Sequence, residues 1–168
     1  GFRRARLQPL DHVGIVTGRH KADVLAVVLA GNGQAEAAGK DPVEFRLALL
    51  KDHPRHAAVL KLVSEKAGWG TASVAGRFRG VAVAESFNTV VAQVAEISIP
   101  SPGAVKVEKV VCVIDCGTAI NPDQVVAQME GGIGFGLSSI LAEEITLTNG
   151  MVDQGNYDTY TPLRIDQM

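Results

Sequence analysis

Residues 79–115 read RGVAVAESFNTVVAQVAEISIPSPGAVKVEKVVCVID, and this stretch decides the fold. It holds three apolar segments, at 79–87, 89–99 and 105–115, which are separated by short turns. Apolar and small residues alternate in the first segment, as in a strand with one buried face. The third segment begins in alternation and then becomes almost wholly apolar, as a strand does when it passes into the interior. Three such strands in succession predict an antiparallel meander.

Two helices are predicted before these strands. Asp41-Pro42-Val43-Glu44 combines an N-cap acid, a proline at the first helical position and a glutamate at the third, which together start a helix. Pro54 starts a second helix, and Gly68 follows its apolar stripe as a natural C-cap residue. The predicted fold class is α+β: a mainly antiparallel sheet, an N-terminal helical pair and a packed glycine-rich helix.

The glycine-rich helix begins after Asn121 and contains Gly131, Gly132, Gly134 and Gly136. Each interior glycine costs about 0.8–1 kcal/mol relative to alanine, so four cost roughly 3–4 kcal/mol. Proteins have a total stability of only about 5–15 kcal/mol. We therefore expect either a closely packed neighbouring backbone or a ligand to offset this cost. The spacing matches neither GxGxxG nor GxxxxGK(S/T), the two nucleotide-binding patterns.

Composition excludes several classes of protein. The 168 residues fit about one domain. Sixteen basic residues against eighteen acidic ones give a pI near 6.1 and no basic stripe, which argues against a nucleic-acid module. Two cysteines are too few for a disulfide scaffold. The sequence contains no run of roughly 18 apolar residues that would span a membrane.

Few side chains suggest chemistry by themselves. His53 and His56 are three apart, but no third metal ligand lies near them in the sequence, so a solvated role is favoured. Cys112 and Cys116 are roughly 13 Å apart on an extended strand, too far for a disulfide, and are interpreted as small apolar residues. Gln128 precedes the glycines by one turn. Its amide suits a heterocycle edge or a phosphate, although a lone glutamine of this kind is more often an ordinary exposed residue.

Several motifs follow one another in a fixed order. They are AGKDP at 38–42, RGVAV at 79–83 with ESF at 85–87, VAQVAE at 91–96, VIDCG at 113–117 with NP at 121–122, QMEGG at 128–132 with GLS at 136–138, and NYDTY at 156–160 with LR at 163–164. This order resembles the large, molybdenum-binding subunit of the xanthine dehydrogenase and aldehyde oxidase family. Within that family it is most similar to the branch that contains the beta chains of isoquinoline 1-oxidoreductase and bacterial aldehyde dehydrogenases.

The resemblance implies a cofactor, a reaction and a partner. The cofactor is molybdopterin, commonly as a cytosine dinucleotide in bacteria. The reaction is the hydroxylation of an N-heterocycle or the oxidation of an aldehyde, with oxygen taken from water. Electrons leave through a small subunit that carries two [2Fe-2S] clusters. Members of the family occur in the cytoplasm or the periplasm, and the sequence favours neither compartment nor any particular substrate.

The resemblance also assigns roles to residues. Gln128 is expected to hydrogen-bond the pterin, and Gly131 and Gly132 would let the helix backbone approach the cofactor. The family's general base is a glutamate in a GxGE element after the Tyr-rich stretch, and no such element occurs here. We therefore assign no catalytic residue and no metal ligand, and expect the chain to be inactive alone. Five carboxylates are not recruited as substitute bases: Glu85, Glu96, Glu130, Glu143 and Glu144.

The resemblance divides the chain into two parts. Residues 1–38 form an unmatched N-terminal segment, and residues 39–168 form a partial molybdopterin-binding domain. The alternative is a metal-free binding or oligomerisation module derived from the same fold, in which a homo-oligomer covers surface that a larger protein would otherwise bury.

Overall fold

The computed structural model describes residues 33–102 and 104–164. Most of the predicted unmatched segment, residues 1–32, lies outside the described residues, as do residues 165–168. Residues 33–37 are helical. The elements that follow confirm the predicted α+β class: α1 (Pro42–Leu49), α2 (Pro54–Ala67), β1 (Arg77–Ser86), β2 (Thr89–Ser101), β3 (Ala104–Asp115), α3 (Pro122–Leu141), β4 (Leu147–Thr148) and β5 (Met151–Val152).

The three long strands form one antiparallel sheet in chain order, which confirms the predicted meander. Its register pairs Val81 with Val94, and Val94 with Val111. The first strand ends one residue earlier than predicted, because Phe87 and Asn88 form the turn with φ values of 49° and 61°. Two consecutive residues with positive φ are typical of the tight hairpin turn whose twist matches that of the flanking strands.

Helix α2 packs on one face of the sheet and forms the core with it. Leu60 and Val63 of α2 are fully buried, and so are Val81 of β1 and Val90 of β2. Burying one side chain of this size stabilises a fold by about 1.5–3 kcal/mol. The apolar face of β1 and the apolar stripe of α2 therefore pack together in one shared core.

The predicted helix caps are present. The Asp41 carboxylate accepts hydrogen bonds from the backbone N–H groups of Val43 and Glu44, at 2.9 and 3.1 Å. Trp69 Nε1 donates to the same carboxylate at 2.8 Å. Burial raises the pKa of Asp41, but these three donors outweigh it and hold the pKa below its ordinary value. Gly68 ends α2 in the left-handed conformation, with φ 66°.

A buried carboxylate joins α2 to the sheet. Glu96 is 8% exposed and accepts from Arg77 Nη1 at 2.7 Å and from Arg79 Nε at 2.8 Å. Arg79 also donates to the carbonyl oxygen of Gly68 at 2.9 Å. The hydrogen bonds from Arg79 and Arg77 lower the pKa of Glu96. This network secures the end of α2 against β1 and β2.

Another arginine, Arg55, binds the opposite end of the sheet, and we call this group the Arg55 clamp. Arg55 Nε donates to Asp115 Oδ2 at 2.9 Å, where β3 ends. Its Nη1 and Nη2 donate to Asn88 Oδ1 at 2.8 Å and to the Asn88 carbonyl at 3.0 Å. The hydrogen bond to Asp115 raises the pKa of Arg55. The clamp therefore joins the start of α2, the hairpin turn and the last residue of β3.

The second hairpin is short. Asn149 and Gly150 form its turn with φ values of 53° and 81°, the conformation that an Asn-Gly pair favours. The strands contain only two residues each, Leu147–Thr148 and Met151–Val152, and all four residues are exposed. A two-stranded hairpin without a covering layer gains little from burial, which explains why pairing stops so early.

Candidate functional site

Helix α3 begins as its sequence predicts. The Asn121 side chain accepts hydrogen bonds from the backbone N–H groups of Asp123 and Gln124, at 3.2 and 3.4 Å, and Pro122 occupies the first helical position. The helix runs for 20 residues, a length of about 30 Å. It is the element that carries Gln128 and the glycines.

One face of α3 leaves the helix backbone exposed to solvent. Gln128, Gly131 and Gly132 are all exposed, and residues three and four apart share one face of a helix. A Cβ placed on Gly131 or Gly132 would meet no described atom within 4 Å. We call this exposed stretch of backbone, at Gly131 and Gly132, the glycine notch.

No described part of the chain offsets the glycine cost at the notch. The space next to Gly136 is equally open, and α3 packs broadly on none of the described helices or strands. The close packing of this helix on the sheet, one of the two expected explanations, is therefore absent at these three glycines among the described residues. The open backbone at these glycines leaves room for a ligand or another body, which is the other expected explanation.

Two side chains border the notch. Within the described part of the chain, no group hydrogen-bonds the exposed carboxamide of Gln128. Phe135 lies on the other side of the notch and is 70% exposed. Sequence reasoning did not single out Phe135, although a signal was available. That signal is its spacing: it follows Gly132 by three residues and Gly131 by four, which places it on the same face of α3.

A hydroxyl cluster closes the other end of α3. Ser138 Oγ donates to Glu143 Oε1 at 2.6 Å, and Tyr160 Oη donates to Glu143 Oε2. The backbone N–H of Leu163 donates to Ser138 Oγ at 2.9 Å. The hydrogen bond to Glu143 raises the pKa of Tyr160. These contacts hold the Tyr-rich segment against the end of the helix.

Three of the five carboxylates set aside as substitute bases hold elements of the fold together. Glu143 lies in the hydroxyl cluster, Glu96 lies between two arginines, and Glu85 Oε2 is 3.0 Å from His56 Nε2. Glu130 and Glu144 are exposed. The structure therefore gives each of the first three a structural partner.

In the described part of the chain, the cysteines and the histidine pair form neither a reactive thiol site nor a metal site. Burial raises the pKa of both Cys112 and Cys116 to about 11, which disfavours the reactive thiolate. His53 and His56 are in edge contact, with ring centroids 5.5 Å apart. Across residues 33–102 and 104–164, no three side chains of metal-binding type gather in one place. Among the helices described, none has the length and apolar character needed to cross a membrane.

Relatives that are similar to this chain include three with informative names. The beta chain of isoquinoline 1-oxidoreductase from Brevundimonas diminuta is 35% identical over 176 residues, covering 95% of this chain and 22% of the relative. A protein of Gluconacetobacter polyoxogenes, named membrane-bound aldehyde dehydrogenase (pyrroloquinoline-quinone), is 36% identical over 151 residues, covering 75% and 19%. A nicotinate dehydrogenase subunit from Pseudomonas putida is 30% identical over 152 residues, covering 80% and 13%. No solved structure is significantly similar to the chain.

These matches agree with the resemblance that the motifs indicated. The chain spans a fifth or less of the length of two of these relatives and 22% of the third. The sequence model of the molybdopterin cofactor-binding domain matches residues 36–168, which include the whole sheet and all of α3. The chain therefore belongs to the family of molybdopterin cofactor-binding domains.

Proposed function

We propose that this chain forms part of the cofactor-binding region of a molybdenum hydroxylase, and that α3 contacts the pterin. Gln128 hydrogen-bonds the cofactor, while Gly131 and Gly132 let it approach the helix backbone. The observation that supports this most strongly is the glycine notch, which lies open beside an exposed carboxamide on one helix face. The family match gives the class of ligand.

The residues at the notch fit such a group. The Gln128 carboxamide offers two donors and one acceptor, which suits the polar edge of a pterin. The missing side chains at the glycines leave the space that a flat ligand needs to touch the backbone. The two charged residues of α3, Asp123 and Glu130, lie on the opposite side of the helix by their spacing from Gln128. The notch is therefore free of negative charge that would repel the cofactor's phosphate.

The proposed activity belongs to a larger protein. It is the hydroxylation of an N-heterocycle or the oxidation of an aldehyde, with oxygen from water, and the bound molybdopterin supplies the molybdenum redox chemistry. Two of the relatives are named as subunits, which supports a partner. We propose that this partner is a small subunit with [2Fe-2S] clusters. Residues 39–168 contribute cofactor contacts, without turnover of their own.

The test is the cofactor content of the chain purified from a host that makes molybdopterin. Molybdenum is measured by plasma mass spectrometry, and pterin by its fluorescence after oxidation. We expect near-stoichiometric amounts in the parent, and a loss of both in Gln128→Ala and Gly132→Leu. Glu130→Leu places the same side chain on the opposite side of α3 and should retain the cofactor.

The alternative function gives a different result. A chain that contains neither molybdenum nor pterin, and has the mass of a stable dimer by light scattering, would replace this proposal with the metal-free oligomerisation module. Retention of the cofactor by Gly132→Leu would contradict the role of the notch.

A further inference from the structure

We propose that Phe135 is a further cofactor-contacting residue, whose ring stacks on the flat face of the pterin at the glycine notch. This inference rests on the function proposed for α3. It assigns to Phe135 a role in binding that neither the motifs nor the matched relatives give it. The inference starts from the side chain of Phe135, which is 70% exposed and shares a helix face with the glycine notch. Gln128 lies on the same face, and its carboxamide has no hydrogen-bond partner among the described residues.

Helix geometry directs the Phe135 ring toward the notch. Phe135 follows Gly132 by three residues and Gly131 by four, so all three share one face. Side chains on a helix lean back toward its N-terminus, over the preceding turn. For Phe135, the preceding turn is the one that contains Gly131 and Gly132. No atom of the Phe135 ring lies within 4 Å of a Cβ placed on either glycine, so the ring leaves the notch open.

The spacing of Gln128 and Phe135 along α3 suits a fused heterocycle. Gln128 and Phe135 are seven residues apart on α3, which corresponds to about 10 Å along the helix axis. A ligand between them finds hydrogen-bonding groups at one end, an open backbone as the floor and an aromatic surface at the other end. Pterin has both matching features, a polar edge and a flat π-face.

The energetics explain why an exposed phenylalanine is placed here. An apolar ring of this size gains nothing from water, whereas an aromatic pair in stacked geometry adds about 0.5–1.5 kcal/mol beyond area burial. That gain corresponds to about a 2- to 13-fold change in Kd. Phe135 should therefore contribute a measurable share of pterin affinity and should be replaceable by another aromatic residue.

The experiment titrates the 168-residue chain with unsubstituted pterin and records the quenching of pterin fluorescence. The variants are Phe135→Leu, Phe135→Tyr and Gln128→Ala, and Phe78→Leu removes an exposed aromatic from β1 as the matched control. We expect Phe135→Leu to raise Kd by about 2- to 13-fold and to lose most of the quenching. Phe135→Tyr should restore both, and Phe78→Leu should match the parent. Far-UV circular dichroism checks that α3 is retained.

The outcomes separate the two proposals. Weaker binding in Phe135→Leu with rescue by Phe135→Tyr supports the stacking role, whatever Gln128→Ala does. Parent-like binding in Phe135→Leu, together with weaker binding in Gln128→Ala, overturns the stacking role and leaves the proposed function standing. A parent chain that binds no pterin overturns both.

Discussion

Replacing Gly132 by alanine should stabilise the free chain while weakening its binding of pterin. The residue is helical without a positive φ, and a Cβ there meets no described atom within 4 Å. Alanine therefore brings its full advantage in helix propensity, about 0.8–1 kcal/mol. For a chain of this length, the melting temperature should rise by about 2–4 °C. Loss of affinity follows because the added methyl group occupies the space proposed for the ligand.

The assay is urea denaturation followed by far-UV circular dichroism, with a thermal scan for the melting temperature. Gly131→Ala should give the same gain, since its surroundings are equally open. The matched control is Gly117→Ala, because Gly117 has φ +82°. The left-handed conformation costs an L-residue roughly 1–2 kcal/mol, so this variant should be destabilised.

One result would refute the reasoning. If Gly132→Ala lowers the urea midpoint while Gly117→Ala behaves as expected, the backbone at Gly132 contacts another part of the free chain. The glycines would then serve the fold. A rise in the midpoint together with a rise in the pterin Kd would instead show that Gly132 is kept for binding at the expense of stability.

Three further predictions concern the fold and its thiols. Leu60→Ala should cost about 2–5 kcal/mol in urea unfolding, because Leu60 is 0% exposed in the core; a cost below about 1 kcal/mol would contradict the packing described. Because the pKa of Glu96 is lowered, its hydrogen bonds with Arg77 and Arg79 give their full stabilisation above about pH 4.5, the ordinary pKa of glutamate. That stabilisation is lost as the pH falls through the lower pKa of the folded state. Glu96→Gln should therefore flatten the acid loss of stability, measured as urea midpoints from about pH 7 to about pH 3; an unchanged slope would exclude this network as its source. Cys112, whose pKa burial raises to about 11, should be alkylated by iodoacetamide about a hundredfold more slowly than an ordinary thiol; equal rates for native and urea-unfolded chain in mass spectrometry would disprove this.

The elements that the sequence predicted well are those with local signals. Asp41 and Asn121 cap helices through backbone groups two and three residues away, so the sequence around each cap contains the whole interaction. Asn149-Gly150 specifies its turn for the same reason. The order of the three long strands followed from apolar alternation and short connections.

Contacts between distant residues left no such signal. Arg55 and Asp115 are 60 positions apart, and Glu143 and Tyr160 are 17 apart; no local pattern pairs them. Phe87 was assigned to a strand because it continues the apolar alternation of Val81 and Val83, yet it lies in the turn with positive φ. That conformation is unusual for a bulky residue, so local preference predicted the opposite.

At the candidate site, the motifs identified Gln128 and the glycines but not the state of their surroundings. The glycine cost predicted that something approaches the helix, and left open whether that body is polypeptide or ligand. Only coordinates could exclude a close neighbour within the described chain at Gly131 and Gly132. Phe135 was missed because a single aromatic residue in a helix usually belongs to the core.

The Arg55 clamp affects how accurately the residues of α3 are positioned. It fixes Asp115, the last residue of β3, and α3 starts only seven positions later. Because Phe135 lies about 20 Å along the helix, a tilt of about 10° at the helix base would displace it by about 3 Å. Preorganised sites tolerate errors of only about 0.5 Å. Substitutions at Arg55 should therefore emerge among cofactor-deficient clones in a genetic screen, even though this arginine lies on a different helix from the notch.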